Sequence, residues 1–337
     1  MTSSKLRVAV VQFAPKLGEV EANIAKAREL CRAVTPRSVD LLCLPEMIFS
    51  GYMFPDAASI APYLEHPRTG PTSTFCAELA RRLHCYVAAG YPERLEPESA
   101  TDGVSDDPAA STPPNRPAGA NSAILYGPTG DRVHSYRKTN LFETDLAWAT
   151  PGLGFSTVSL PIPLGPVTVA ICNDLNVQKP AVWETLEHGP YELAQHCILS
   201  GTRLLVLLNA WLRPESDSEA RDGVNHGGTD GEPDSGLEPN WKVLNYWATR
   251  LRPTWARDGG TRALKCRRQR VNTGSQDMLV VLCNRLGHEG GANTFAGSSA
   301  MFSMAPGSGK ARLLHAMGER EEGVKIWTAK LRSSKCK

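Results

Sequence analysis

The order of apolar segments in roughly the first ninety residues most constrains the fold. Leu6–Phe13, Asp40–Leu44 and Cys85–Ala89 are short apolar runs, which are typical of buried strands. Thr72–Leu83 has helical spacing, and so does an earlier segment whose apolar residues are Val20, Ile24, Ala27, Cys31 and Val34. The resulting β-α-β-α-β order predicts an α/β layered fold.

The rest of the chain continues the same alternation. Two polar, Pro- or Gly-rich stretches at 96–120 and 214–240 interrupt it, and we expect them to be mobile surface insertions within a single domain, 1–337. A hairpin is predicted around Gly127–Gly130. The remaining predicted strands are 121–126, 132–136, 167–171, 204–208, 278–283, 298–303, 311–316 and 323–328, and the remaining helices are 191–199 and 241–251.

Composition excludes several classes of function. The net charge is +2, from 37 basic and 35 acidic residues, which gives no basic surface for nucleic acid. The nine cysteines are odd in number and contain no CxxC pair, so neither a disulfide scaffold nor a metal site is expected. The first residues lack the apolar core of a signal peptide, and no apolar run is long enough to span a membrane. We therefore expect a cytoplasmic or nuclear protein with no cofactor.

Three reactive side chains each follow a predicted strand. Glu46 comes after the strand 40–44, Lys138 after 132–136 and Cys172 after 167–171. Strands of one sheet that end at the same edge bring such groups together. Each residue also has an ordinary interpretation, as a loop carboxylate, half of a salt bridge and a buried core thiol.

Together, the segments around these residues resemble the carbon–nitrogen hydrolase (nitrilase) superfamily. The resemblance implies a four-layer α-β-β-α sandwich with a Glu–Lys–Cys triad. Cys172 would be the nucleophile and form a thioester, and Glu46 would be the general acid and base. Lys138 and the backbone N–H of Asn173 would stabilise the negative charge on the substrate oxygen.

The sequences that flank the triad resemble one branch of that superfamily, the protein N-terminal amidases. They are Cys172-x-Asp-Leu-Asn176, Phe142-Glu-Thr-Asp-x-x-Trp148, Asn245–Leu251 and Cys283–Glu289. This resemblance implies deamidation of N-terminal Asn and Gln of proteins or peptides to Asp and Glu, with release of ammonia, in an N-degron pathway. Two alternatives stay open: an amidase of small ω-amides or carbamoyl compounds, and a non-catalytic scaffold. The oligomeric state is not predicted.

Two roles near the triad have more than one candidate or interpretation. Many members of the superfamily have a second carboxylate that supports the lysine, and here the candidates are Glu143 and Asp145. Many also have an arginine four residues after the cysteine, where this chain has Asn176. Our hypothesis is that Asp174 binds the free α-ammonium group of the substrate. The alternative is that Asp174 caps a turn or a helix start.

Overall fold

The computed structural model of the protein describes residues 4–96, 118–178, 180–182, 185, 188–214, 236–257, 277–291 and 293–331. The strands are β1 Ser4–Gln12, β2 Leu41–Cys43, β3 Tyr86–Arg94, β4 Gly119–Tyr126, β5 Arg132–Arg137, β6 Thr157–Ser159, β7 Pro166–Ile171, β8 Leu204–Asn209, β9 Met278–Asn284, β10 Leu286–Glu289, β11 Asn293–Ala296, β12 Ala300–Met304, β13 Ala311–Ala316 and β14 Gly323–Leu331. The α-helices are α1 Val20–Leu30, α2 Ala57–Ile60, α3 Pro71–Leu83, α4 Glu143–Leu146, α5 Glu192–Leu199 and α6 Trp241–Arg250.

Two six-stranded sheets of the same design form the centre of the fold. Their strand orders are β14-β1-β2-β3-β4-β5 and β13-β12-β9-β8-β7-β6. In each sheet three parallel strands lie in the middle, β1-β2-β3 in one and β7-β8-β9 in the other, with antiparallel strands on both sides. The short strands β10 and β11 form a separate hairpin.

Alternate residues of the central strands face two different cores. In β1, Leu6, Val8 and Val10 face the core between the two sheets. Ala9 and Val11 face the opposite way, toward the helices α1 and α3. The second sheet is covered in the same manner by α5 and α6. The predicted four-layer α-β-β-α sandwich is confirmed, because strands buried on both faces need a layer on each side.

The strand directions bring the three reactive residues to related places. β3 and β5 both run antiparallel to β4, so β5 is parallel to β2 and β3, and its carboxyl end lies at the same edge. Lys138 directly follows β5, and Glu46 lies three residues after β2. Cys172 directly follows β7 in the second sheet. The site is therefore shared between the sheets.

The predicted insertions lie largely outside the described residues. At their edges, Gly119 and Ala120 already belong to β4, so the first irregular stretch ends earlier than predicted. The single domain over 1–337 stays a prediction. None of the described helices is long and apolar enough to cross a membrane.

Candidate active site

Glu46 lies on a tight turn at the end of β2. The next residue, Met47, has a φ of 50°, a left-handed conformation that is uncommon for a residue with a side chain. The turn packs directly on β3, where a Cβ atom at Gly90 would lie 2.6 Å from the Cα of Glu46. Glycine at this position therefore lets the turn approach the sheet closely enough for the carboxylate to be fully buried.

Lys138 is also fully buried and is surrounded by acceptors. Its Nζ donates to Glu46 Oε1 at 2.8 Å and to Asp145 Oδ2 at 2.6 Å. A third, longer hydrogen bond of 3.5 Å reaches the hydroxyl of Tyr52. Burial opposes the charge on Lys138, but the carboxylates of Asp145 and Glu46 outweigh it and raise the pKa of the amine well above its usual value. The amine is therefore protonated in the resting site.

The structure chooses between the two candidates for the supporting carboxylate. Asp145 is buried and contacts Lys138, whereas Glu143 is exposed. The side-chain amide of Asn121 joins the group, because its Nδ2 donates to Glu46 Oε1 at 2.7 Å and to Asp145 Oδ1 at 3.0 Å. We call Glu46, Lys138, Asp145 and Asn121 the charged cluster.

The environment of the charged cluster also shifts the pKa of Glu46. Burial raises the pKa of Glu46, and the negative charge of Asp145 adds to this effect. Lys138 acts in the opposite direction, both as a charge and as a hydrogen-bond donor. A carboxylate with a raised pKa can hold a proton during a reaction cycle near neutral pH.

Cys172 lies at the boundary between the second sheet and a small cavity. Its φ is 40°, a strained conformation that costs roughly 1–3 kcal/mol. Burial and the nearby carboxylate of Glu46 raise the pKa of the thiol well above its usual value, while Lys138 and the backbone N–H of Ala210 lower it. The resting residue is therefore a thiol, and it needs an adjacent base to become a nucleophile.

Asn173 begins the turn that follows the cysteine. Residues Cys172–Leu175 form one turn of 3₁₀-helix, whose first N–H groups have no acceptor within the helix. The side chain of Asn173 is occupied, because its Nδ2 donates to the carbonyl oxygen of Leu141 at 3.0 Å and its Oδ1 accepts from Asn176. This geometry leaves the backbone N–H of Asn173 as the group suited to the cavity.

Asp174 is not among the residues that line the cavity, and this placement favours its alternative role as a capping residue over binding of the α-ammonium group. Its carboxylate is fully buried and accepts four hydrogen bonds, which come from Tyr136 Oη and from the backbone N–H groups of Thr139, Asn140 and Ile171. These bonds leave little capacity for a ligand. The bonds instead tie the Cys172 turn to the residues after Lys138, so Asp174 positions two parts of the site.

The cavity beside Cys172 has a volume of about 160 Å³. The backbone N–H of Ala210, which lines the cavity together with Cys172, donates to Glu46 Oε2 at 2.8 Å. The full lining is Tyr52, Phe142, Cys172, Asn173, Asn176, Ala210, Trp211 and Leu212.

Part of the cavity lining, together with a tyrosine that supports it, is neutral. The hydroxyl of Tyr246 donates to Asn176 Oδ1 at 2.7 Å, and Asn176 Nδ2 donates to Asn173 Oδ1 at 2.7 Å. Trp211 packs on Tyr246 with ring centroids 5.4 Å apart. We call Asn173, Asn176, Trp211 and Tyr246 the amide wall. In the described part of the chain, no group of three or more His, Cys, Asp or Glu side chains is arranged to hold a metal ion.

Three residues that contact Glu46 or Lys138 were not predicted. Asn121 lies at the start of a strand that was predicted only as half of a hairpin, and Ala210 contributes a backbone group rather than a side chain. Tyr52 follows Gly51 six residues after Glu46, and an aromatic residue at such a place is usually read as part of the core. A signal for Asn121 was present, because an amide within a buried strand must find hydrogen-bond partners.

Comparison with known proteins identifies the family of the chain. The model of the family described as carbon-nitrogen hydrolase matches residues 7–194. The protein N-terminal amidase of Schizosaccharomyces pombe is 31% identical over 332 residues, which cover 95% of this chain and 98% of that protein.

Solved structures agree with the fold. A crystal structure of N-terminal amidase with Asn-Glu-Ala peptide has a TM-score of 0.74 and 20% identity, and one with Gln-Val peptide has a TM-score of 0.73 and 19% identity. Both comparisons cover 98% of this chain and 98% of the other chain. At this level of identity the likeness establishes the fold alone. From the match over residues 7–194 and the similarity to the yeast relative, the chain belongs to the carbon–nitrogen hydrolase family.

Proposed function

We propose that this chain is a cysteine amidohydrolase that converts N-terminal Asn and Gln of proteins or peptides to Asp and Glu and releases ammonia. The observation that carries the chemistry is the position of Cys172, a thiol on the cavity wall beside a buried Glu–Lys–Asp cluster. The substrate is supported by the 31% identity to a protein N-terminal amidase along almost the whole chain.

In this proposal Glu46 activates the thiol through one defined oxygen. Its Oε1 already accepts from Lys138 and Asn121, whereas Oε2 accepts from the backbone N–H of Ala210, a residue that lines the cavity. In the proposed first step, Oε2 takes the proton of the Cys172 thiol and the thiolate attacks the amide carbon. One negative charge moves from the carboxylate to the sulfur and then to the substrate oxygen, so the net charge of the buried site does not change.

The remaining steps reverse the proton transfer. The tetrahedral intermediate collapses when the C–N bond breaks and Glu46 gives its proton to the departing nitrogen, which leaves as ammonia. A thioester between the side-chain acyl group and Cys172 remains. Glu46 then accepts a proton from water, the resulting hydroxide attacks the thioester, and the proton returns to the sulfur as the C–S bond breaks. The product is the carboxylic acid.

The charge of the site fits a substrate with a free α-ammonium group. One lysine and two carboxylates leave one net negative charge beside the cavity when the thiol is neutral. In a buried place such a charge favours a cation. An N-terminal residue carries its ammonium group next to the side-chain amide, whereas a simple amide lacks it. The net charge therefore favours N-terminal residues over small neutral amides.

Ammonia release from Asn- and Gln-initiated peptides tests this function. We expect release by the wild type and none by Cys172→Ala, with a mass increase of about one unit in the peptide because –NH₂ becomes –OH. N-acetylated peptides with the same sequence are the control, and we expect them to be poor substrates.

The same assay separates the alternatives. Release from free glutamine analogues or carbamoyl compounds but not from peptides would replace the proposal with an amidase of small molecules. No release from any amide by a folded wild-type protein would favour a non-catalytic scaffold.

We also propose that the enzyme works in the cytoplasm or nucleus. The described cysteines at 31, 43, 76, 85, 172, 197 and 283 are all buried and unpaired, which is usual in reducing compartments. A nucleophilic thiol also needs such conditions to stay reduced. Cell fractionation of the untagged protein tests the assignment, and recovery only from a secretory fraction would contradict it.

A further inference from the structure

The resting site leaves Lys138 without a free hydrogen for the substrate. An ammonium group has three N–H donors. Within the described residues, Lys138 directs one to Glu46, one to Asp145 and one to the hydroxyl oxygen of Tyr52. The first two bonds are short and join opposite charges, so they are the strong ones. Among its hydrogen-bond partners in the described residues, only Tyr52 lines the cavity.

The hydroxyl of Tyr52 is in the complementary situation. Its oxygen accepts from Lys138 at 3.5 Å, and among the described residues its own hydrogen has no acceptor. The side chain lines the cavity together with Cys172. Burial, strengthened by the charge of Asp145, raises the pKa of Tyr52 well above its usual value, so the group stays protonated. A protonated hydroxyl polarised by a cation is a strong donor.

Tyr52 is held in this place by a buried ion pair from the other half of the chain. Glu289 Oε2 accepts from the backbone N–H of Tyr52 at 2.8 Å and from that of Met53 at 3.1 Å. Arg285 Nη1 lies 2.5 Å from Glu289 Oε1, and its guanidinium lies 4.0 Å from the ring centroid of Phe295. The ring of Phe295 in turn packs edge-on against Tyr52 at 6.4 Å.

This support gives a role to the segment Cys283–Glu289, which contains no member of the catalytic triad. Arg285 and Glu289 belong to the segment Cys283–Glu289, and both are buried although charged. Buried charges are costly unless they are paired, so their presence suggests a positional task. The carboxylate fixes the backbone N–H groups on either side of the Tyr52 Cα, and the cation contacts both the carboxylate and the ring of Phe295.

We propose that Tyr52 is a further oxyanion donor in the amidase reaction and that Glu289 and Arg285 are its positioning residues. The hydroxyl hydrogen of Tyr52 binds the amide oxygen of the substrate as negative charge develops there, while Lys138 polarises the hydroxyl from behind. No proton is transferred in this contact. The backbone N–H of Asn173 donates to the same oxygen. This inference rests on the proposed amidase function.

Tyr52→Phe is the direct test, because it removes the hydroxyl and keeps the ring. We expect kcat to fall about 100-fold, as for the loss of one oxyanion donor, with KM changed by less than about threefold. The rate at which iodoacetamide alkylates Cys172 is expected to stay the same, because Glu46 and Lys138 are intact. Tyr63→Phe is the matched control in the same part of the chain, outside the cavity, and should keep full activity.

Each outcome of this test decides the proposal. A kcat within about twofold of the wild type overturns it, and so does a parallel fall in the alkylation rate, since Tyr52 would then act on the thiol. If the wild type is silent on Asn and Gln peptides, the proposed function fails, and the comparison is repeated on the amide that it does cleave. Silence on every amide overturns both.

Glu289→Gln tests the positioning role. We expect kcat to fall about tenfold in the wild-type background and to change little in the Tyr52→Phe background, because residues that act as a unit have non-additive effects. A purely structural role would give the same factor in both backgrounds. That result would overturn the assignment of Glu289 and leave the test of Tyr52 standing.

Discussion

The charged cluster and the amide wall both lie near Cys172 but are built differently. Every side chain of the charged cluster is fully buried, and each is hydrogen-bonded to another member. The residues of the amide wall are only partly buried and neutral; single hydrogen bonds link Tyr246, Asn176 and Asn173, and Trp211 packs on Tyr246. Removing a partner of a buried charge costs more than removing a neutral, partly hydrated one. The charged cluster should therefore control the rate, and the amide wall the fit of the substrate.

The largest effect is expected from a change to Glu46, the general base in the charged cluster. Glu46→Gln keeps the shape of the side chain but removes proton transfer, and we expect kcat to fall about 1,000-fold. Ammonia release under saturating peptide measures the change. The matched control is Glu143→Gln, which removes an exposed carboxylate next to the site and should leave kcat unchanged. Equal losses in the two variants would remove the distinction between buried and exposed carboxylates.

A smaller effect is expected at Asp174, which supports the Cys172 turn but does not line the cavity. Asp174→Asn keeps one acceptor oxygen but faces two of the four donors with an amide NH₂ group, so the Cys172 turn loses support. We expect kcat to fall about tenfold. The preference for free over N-acetylated peptides should persist, because the carboxylate does not face the cavity. Loss of that preference would restore Asp174 as the residue that binds the α-ammonium group.

The same variant has a signature in the pH dependence of stability. Burial raises the pKa of Asp174 from 3.8 to about 6, against the hydrogen bonds that favour its charged form. The folded chain thus holds this proton more tightly than the unfolded chain, so the contribution is present below about pH 4 and is lost as pH rises through about 6. It amounts to about 3 kcal/mol. Urea unfolding at several pH values should show this component in the wild type and not in Asp174→Asn.

The smallest effect is expected in the amide wall. Tyr246→Phe removes the donor to Asn176 and keeps the ring against Trp211. A net loss of about 1 kcal/mol corresponds to a KM about fivefold higher, with kcat nearly unchanged. Steady-state kinetics on Asn and Gln peptides measures both. A loss confined to kcat would show that the amide wall controls the rate and not, as proposed, the fit of the substrate.

The positions of Glu46 and Cys172 could be predicted, because each closely follows an apolar run, and Lys138 follows a strand predicted from the Gly/Pro turn before it. Such runs form strands wherever they are buried on both faces, and the end of a strand is a local property of the sequence. Their order along the chain then carried the family resemblance. The short strands β6, β10 and β11 were missed because three or four residues give no clear period.

The partners of the triad could not be predicted in the same way. Asp145 and Glu143 are two positions apart, and which one is buried depends on which side of α4 packs against the rest of the protein. Asn121, Ala210 and Glu289 act over separations of 75, 164 and 237 residues from their partners. Contacts at such distances depend on how the two sheets are docked, which no local pattern encodes.

The hydrogen bond between Ala210 and Glu46 has a consequence for when the active site is assembled during folding. It joins a residue directly after β8 to a carboxylate three residues after β2, so the two sheets must already be docked before it exists. A half-folded chain would carry Cys172 without its base, and the strained turn would be free to relax. The nucleophile therefore acquires its base only after the two sheets have docked, so a chain with one folded sheet has no assembled active site.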